Sequence, residues 1–293
     1  MKAVVVENLV KDFGNFRAID CVSFEVEEGE VFGILGPNGA GKTTTIKILI
    51  TLLKPTKGRA FVAGYDVLKS ASDVRKNIGV VFQETTLELE FTARENLDFH
   101  ARLYGMSKAE REKRIEEMLN LVELESFSDK LVKTFSGGMK RRLEIARGFL
   151  HNPKILFLDE PTLGLDAKTR RKIWKYIEEL KGSSTIVLTT HYIEEAEKLC
   201  DRIVVMNKGK IVAMDSPKNL KAEDRVVIYS SKEDLDLIKK NFGSLIVSED
   251  DGKVELLVKD VESFIPKLFE VAKVKEMSIK RSTLEDAYIK MVE

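Results

Sequence analysis

The stretch GPNGAGKTTTIKIL, residues 36–49, places three glycines and a proline directly ahead of Lys42, three threonines and an apolar run. Each glycine costs ordering entropy, so three within six residues point to a backbone that something approaches closely. Gly36 to Thr43 fit G-x-x-x-x-G-K-[ST] in the context that pattern requires. Before it stands VFGIL (31–35), a continuous apolar run that reads as a strand buried on both faces; after it stands the helical TTTIKILI. Backbone N–H groups of such a loop can curl around a phosphate chain, and the helix N-terminus adds its partial positive charge. The candidate nucleotide-binding residues are therefore Gly36, Pro37, Asn38, Gly39, Ala40, Gly41, Lys42, Thr43 and Thr44. Lys42 would reach the β- and γ-phosphates, and Thr43 would offer its hydroxyl to Mg²⁺.

Two further apolar runs share the pattern of 31–35: KILFLD at 154–159 and STIVLTT at 184–190. Helical patterns lie between them, which argues for a parallel sheet in an α/β fold. Residues 2–7 and 22–27 instead alternate like strands with one exposed face, with a turn at Gly14–Phe16, so an antiparallel β subdomain is expected at the start. KILFLD runs into Asp159-Glu160. Mg²⁺ takes oxygen ligands while keeping much of its hydration, which suits Asp159. Glu160 can orient and deprotonate a water attacking the γ-phosphate, or polarise it. STIVLTT ends in His191, whose ring can donate to that phosphate or hold the water; alone, it would read as a structural histidine at a strand end. Its company changes this, because the carboxyl ends of parallel strands are where open α/β sheets bind ligands. His100 and His151 have no such company and read as structural.

Lys+Arg and Asp+Glu both number 48, which leaves no overall field for polyanions or acidic lipid, and no nucleic-acid partner is expected. MKAVVVENLVKDFG lacks a signal-peptide apolar region, and no apolar run reaches the roughly 18 residues of a spanning helix, so a cytoplasmic chain is expected. Cys21 and Cys200 have apolar neighbours and no ligand-like spacing, and both read as buried thiols. Between the glycine-rich loop and 154–159 the chain is mostly helical. Thr92-x-x-Glu95 and Ser107-x-x-Glu110 have capping-box spacing, the second opening a helix with Ile115, Met118, Leu119 and Val122 on one face. Past Pro217 the signals become strand-helix-strand-strand-helix with a turn at EDDGK, and a second domain is expected there.

TFSGGMKRRLEIARGFL (134–150) reads as a loop opening an amphipathic helix, with Leu143, Ile145, Ala146 and Leu150 inward and Lys140, Arg141 and Arg142 on a solvated face. In isolation Ser136 with two glycines behind it is helix capping. Placed far downstream of the glycine-rich loop and just ahead of the 154–159 strand, it resembles the LSGGQ signature of ABC ATPases. The resemblance covers about residues 3–220. Gln83, in IGVVFQE, resembles the Q-loop glutamine, which in that family touches the magnesium or the attacking water. Asp166, in PTLGLDA, resembles the D-loop. Phe13 falls where the family has an aromatic stacking on adenine, with Ala18 near a small residue lining that face; Phe13 reads equally well as a hairpin core residue. Phe135 and Met139 depart from the signature's usual leucine and glutamine, and Phe13 from the usual tyrosine.

What the resemblance implies is a P-loop NTPase of ABC type. An ATPase domain over 1–221 would contain the antiparallel β subdomain and a helical signature subdomain over about 84–150, and 222–293 would form a small α+β accessory domain. ATP and Mg²⁺ are the implied cofactors, with Thr43, Gln83 and Asp159 around the metal and Glu160, His191 and Gln83 acting in hydrolysis. Ser136, Gly137 and Gly138 would grip the γ-phosphate of an ATP held by a second copy, giving a homodimer. The C-terminal appendage, ending STLEDAYIKMVE, looks like that of drug-resistance exporter ATPases of the daunorubicin type. Separate transmembrane permease subunits are implied, with this chain peripheral on the inner face of the cell membrane. A soluble ABC-type ATPase acting on nucleic acid or ribosomes is the alternative.

Overall fold

A run as uniformly apolar as 31–35 needs strand partners on both edges and cover on both faces. In the computed structural model, which describes residues 1–221, 223–250 and 252–292, Val31–Leu35 is an inner strand of a six-stranded sheet and is buried along its whole length. Across that sheet the strands run Lys210–Asp215, Arg202–Asn207, Val31–Leu35, Thr185–Thr190, Ile155–Asp159, Ile78–Val81. All neighbours pair in parallel except the edge strand Lys210–Asp215, which is antiparallel. Ile155–Asp159 and Thr185–Thr190 are also buried at every residue. The register levels their carboxyl ends, pairing Leu35 with Thr190 and Asp159 with Thr189. The glycine-rich loop, Asp159-Glu160 and His191 are thereby brought to one sheet edge by backbone pairing alone.

A second, antiparallel sheet has the order Phe16–Glu27, Lys2–Phe13, Lys57–Val62, Tyr65–Asp66. Its first two strands are each 12 residues long, beyond the 2–7 and 22–27 that alternate cleanly in the sequence. The pairing shifts register between Val6 and Leu9, where Asn8 takes φ 47°, and such a bulge hides the two-residue period. Helix Lys42–Leu49 contributes Ile46, Ile48 and Leu49 to a core shared with Val4 and Phe24 of this sheet and Ile34, Phe157 and Val187 of the parallel one. Burying each aliphatic side chain stabilises the fold by about 1.5–3 kcal/mol.

Helices Ala93–Leu103, Lys108–Leu121 and Gly137–Phe149 fall between strands Ile78–Val81 and Ile155–Asp159 in the chain. Thr92 and Ser107 both complete reciprocal capping boxes. Ile115, Met118, Leu119 and Val122 are buried, as are Leu143, Ile145, Ala146 and Leu150. The basic triplet departs from expectation. Arg141 is only 7% exposed, so Lys140-Arg141-Arg142 is no solvated face; it precedes Ile145 by one helical turn and Gly148 by two, on the inward stripe. Cys200 is buried, whereas Cys21 is exposed, at φ 52°.

By its contacts the chain divides into Met1–Pro217 and Lys218–Glu293, the second unit beginning at 218 rather than 222. This unit is a four-stranded antiparallel sheet in the order Ile246–Asp250, Lys253–Val258, Asp224–Tyr229, Glu276–Lys280. With helices Lys232–Phe242 and Val261–Val271 the connectivity is βαββαβ, the ferredoxin-like arrangement, followed by helix Leu284–Val292. Val226, Ile228, Ile238, Val254, Leu256 and Leu268 form its inaccessible centre. No helix among the described residues is long and apolar enough to cross a membrane.

Candidate active site

The chain leaves Val31–Leu35 and reaches helix Lys42–Leu49 through Gly39 at φ 80° and Gly41 at φ 102°, conformations glycine adopts without steric cost. At Gly41 an added Cβ would also lie 2.6 Å from the Ala18 carbonyl oxygen. The Lys42 side chain, 6% exposed, folds back over the loop it follows. Its Nζ donates to the carbonyls of Gly36 at 2.8 Å and Pro37 at 3.3 Å, and lies 3.1 Å from Glu160 Oε1.

Asp159 closes its strand with Oδ1 accepting from Thr43 Oγ1 at 3.1 Å and from Thr189 Oγ1 at 2.6 Å. Glu160 then turns the chain at φ 50°, its N–H donating to the carbonyl and hydroxyl oxygens of Thr189. Its buried carboxylate is held at both oxygens, by Lys42 on one side and by His191 Nδ1 at 2.8 Å from Oε2 on the other. A hydroxyl, two carboxylates, an ammonium and an imidazole thus converge from the loop and two strand ends.

They open into a cleft of about 420 Å³, a volume in the range of small-molecule sites. Of the residues expected there, Ala18, Asn38, Gly39, Ala40, Gly41, Lys42, Thr43, Thr44, Gln83, Glu160 and His191 line it. Gly36 and Pro37 contribute carbonyls behind Lys42, and Asp159 stands behind Thr43. Phe13 is not among the lining residues; Phe16, its cross-strand partner across the Gly14-Asn15 turn, is. Phe13 is 48% exposed and carries the Lys11 ammonium 4.9 Å from its ring centroid. Leu163 also lines the cleft, without a sequence signal to mark it.

Ser136, Gly137, Gly138 and Asp166 are not brought to this cleft. Ser136 caps helix Gly137–Phe149, its Oγ accepting from the Met139 N–H at 3.2 Å. A Cβ on Gly138 would lie 2.7 Å from Thr169 Cγ2. Thr169 in turn donates its N–H and hydroxyl to Asp166, the cap of helix Ala167–Leu180. Those bonds hold the Asp166 carboxyl below its usual range. Two helix starts, with Ser136 and Asp166 both exposed, therefore stand side by side.

Three buried polar residues escaped the sequence pattern. Thr189 bridges Asp159 and Glu160. Glu195, fully buried, accepts from Thr162 Oγ1 at 2.8 Å and Trp174 Nε1 at 2.9 Å, and burial pushes its carboxyl up. In an EEAE helix it reads as one more solvated acid. Arg141 is the third, and its position on the inward helical stripe was the available signal. His100 and His151 lie outside the cleft, packed with Tyr104, whose ring centroid is 3.6 Å from that of His151.

A family profile described as ABC transporter matches residues 19–163. The chain is 36% identical over 304 residues to the daunorubicin resistance ATP-binding protein DrrA2 of Streptomyces coeruleorubidus, covering 99% of this chain and 94% of that one. It is 41% identical over 223 residues to the Nod factor export ATP-binding protein I of Paraburkholderia xenovorans, covering 76% and 73% respectively. Among solved structures, a dimeric ATP-binding cassette in a post-hydrolysis state bound to ADP and Pi matches with a TM-score of 0.67 and 32% identity, covering 73% of this chain and 98% of that one. A glycine-rich loop, a strand-end acid pair and a histidine on one edge of a parallel sheet, with relatives at this identity, settle the family: the chain belongs to the ABC transporter family, as an ATP-binding subunit with ATPase activity.

Proposed function

We propose that two copies of this chain close head to tail around two ATP and drive separate membrane permease subunits, with export as the direction of transport. The observation that carries this reading is that the helix start at Ser136–Gly138, with Ser136 exposed, does not line the phosphate-type cleft of its own chain. A helix N-terminus offers unpaired N–H groups and a partial positive charge. In a twofold pair each such start meets the γ-phosphate in its twin's cleft, so both sites are completed at once. The dimeric cassette among the solved structures supports the arrangement, and the drug-resistance and Nod factor export relatives support export.

Within each site the Gly36–Thr44 loop holds the triphosphate, and Lys42 neutralises its β- and γ-oxygens. Phosphate oxygens compete with Glu160 for Lys42, which frees the Glu160 carboxylate to take a proton from the attacking water. His191 keeps that carboxylate and water aligned. Among the described residues no cluster of three or more His, Cys, Asp or Glu could hold a metal alone. The oxygen donors Thr43, Asp159 and Gln83 suit Mg²⁺ that arrives with phosphate oxygens among its own ligands. When bound, the ion supplies positive charge against the β- and γ-phosphates. Loss of the γ-phosphate removes the cross-link between copies and reopens the pair.

The chain would lie on the inner face of the membrane, held there by the permease. Expressed with its neighbouring reading frames, the tagged chain should co-purify from detergent-solubilised membranes with a polypeptide of about six apolar spans. Retention on RNA or DNA at physiological salt, with no such polypeptide, would overturn the transporter reading in favour of a soluble ABC-type ATPase.

A further inference from the structure

A buried charge is costly unless each of its hydrogen-bonding groups finds a partner. The Arg141 guanidinium offers five N–H donors, and five acceptors surround it. Nε donates to the Pro161 carbonyl at 2.7 Å. One terminal nitrogen donates to the Phe82 carbonyl and, at 3.1 Å, to Glu144 Oε2. The other donates to the carbonyls of Asp159 and Glu160, both at 3.0 Å. Neutralising Glu144 would need one of these contacts. The remaining four go to main chain, three of them to the consecutive residues 159–161 where the strand ends and Glu160 turns at φ 50°.

The carrier of this group matters as much as its partners. Arg141 belongs to the helix that Ser136 caps, and Phe82 immediately precedes Gln83. One planar group therefore joins the Ser136 helix to the backbone under Glu160 and to the chain leading into Gln83. Arg141 does not line the cleft.

We propose that Arg141 is a positioning residue for ATP hydrolysis: it fixes the main chain from which Glu160 and Gln83 reach the cleft, and ties that main chain to the helix opening at Ser136. The proposal rests on the role assigned above to Glu160. Lys42 and His191 set the carboxylate end of Glu160, while Arg141 sets its main-chain end. Reacting groups misplaced by about 1 Å can cost on the order of a hundredfold in rate, whereas none of these Arg141 hydrogen bonds goes to the Gly36–Thr44 loop. The turnover number should fall while ATP affinity holds.

Two variants make the test. Arg141→Lys keeps the charge opposite Glu144, but an ammonium with three donors cannot span five acceptors. The pair Arg141→Gln, Glu144→Gln removes both charges of the ion pair together. In each, kcat at saturating ATP is expected to fall at least about tenfold, with the calorimetric Kd for ATP within about twofold of wild type. In a Glu160→Gln background, Arg141→Lys should lower the residual single-turnover rate by a smaller factor than it lowers the wild-type rate, since only the Gln83 side of the positioning is left to lose. A paired variant with kcat within about twofold of wild type would overturn the proposal. So would ATP binding lost together with hydrolysis, including by misfolding, because that assigns Arg141 to packing alone. Failure of the Glu160 role is separately visible, as wild-type hydrolysis by Glu160→Gln itself.

Discussion

Glu160→Gln separates chemistry from binding in this site. The native carboxylate is 6% exposed, with Oε1 3.1 Å from Lys42 Nζ and Oε2 2.8 Å from His191 Nδ1. Glutamine keeps the shape and can still accept from Lys42; it loses the charge and the ability to take a proton. General-base catalysis contributes about 10²–10⁴-fold, so kcat should fall by that factor, equivalent to a barrier higher by about 3–5 kcal/mol. Binding should move the other way. At 3.1 Å and an effective dielectric constant of about 20, the Lys42–Glu160 attraction is about 5 kcal/mol before desolvation is counted. Phosphate oxygens must displace it to engage Lys42, so its removal leaves ATP affinity equal or tighter. A chain that binds ATP without consuming it should accumulate as closed dimers. Phosphate release at saturating ATP, calorimetric titration, and light scattering on a sizing column with ATP against ADP measure the three effects. Hydrolysis at the wild-type rate would refute the base assignment, and a weaker ATP Kd would refute the competition for Lys42 even if hydrolysis were lost.

Three further outcomes are expected. Lys42→Ala removes a charged donor from the phosphate loop and should raise the ATP Kd by about 10- to 100-fold; unchanged affinity by titration would exclude the phosphate role. Phe16→Ala should weaken ATP by about two- to tenfold through loss of ring stacking, while Phe13→Ala changes it by less than about twofold; the reverse order would restore Phe13 as the adenine contact. The third concerns His100, whose imidazole is driven down from 6.5 to about 3 by burial, reinforced by the charges of Arg147 and His151. Its folded form disfavours the proton, so its contribution to stability is complete above the unfolded value and lost as pH falls from there toward the folded one. Between pH 7 and 5 that loss is about 2 kcal/mol. Urea unfolding of His100→Phe should show a pH slope shallower by this amount, and equal slopes in the two proteins would contradict it.

The parts of this site legible in the sequence are those whose position follows from a neighbouring buried strand. Gly36–Thr43, Asp159-Glu160 and His191 each stand at the end of a wholly buried strand, and parallel register then brings the three ends level. Phe16 was obscured because it sits at the mouth of a two-residue turn, where Phe13 and Phe16 are equivalent by pattern and only the fold distinguishes them. Arg141 was obscured for a different reason. Its partners are main-chain carbonyls 59 residues upstream and 18 to 20 downstream, and carbonyls leave no trace in composition or period.

Glu160 shows why such invisible contacts decide the chemistry. A non-glycine residue in the left-handed region costs about 1–3 kcal/mol and persists only where its surroundings over-determine it. Here Thr189 accepts the Glu160 N–H, Arg141 donates to its carbonyl, and Lys42 and His191 hold its carboxylate. These partners come from residues 42, 141, 189 and 191, so no single stretch of chain encodes the conformation, although the motif residue itself is plain to read. Substitutions at Arg141 or Thr189 should therefore act on turnover through the backbone of Glu160, even though neither side chain lines the cleft.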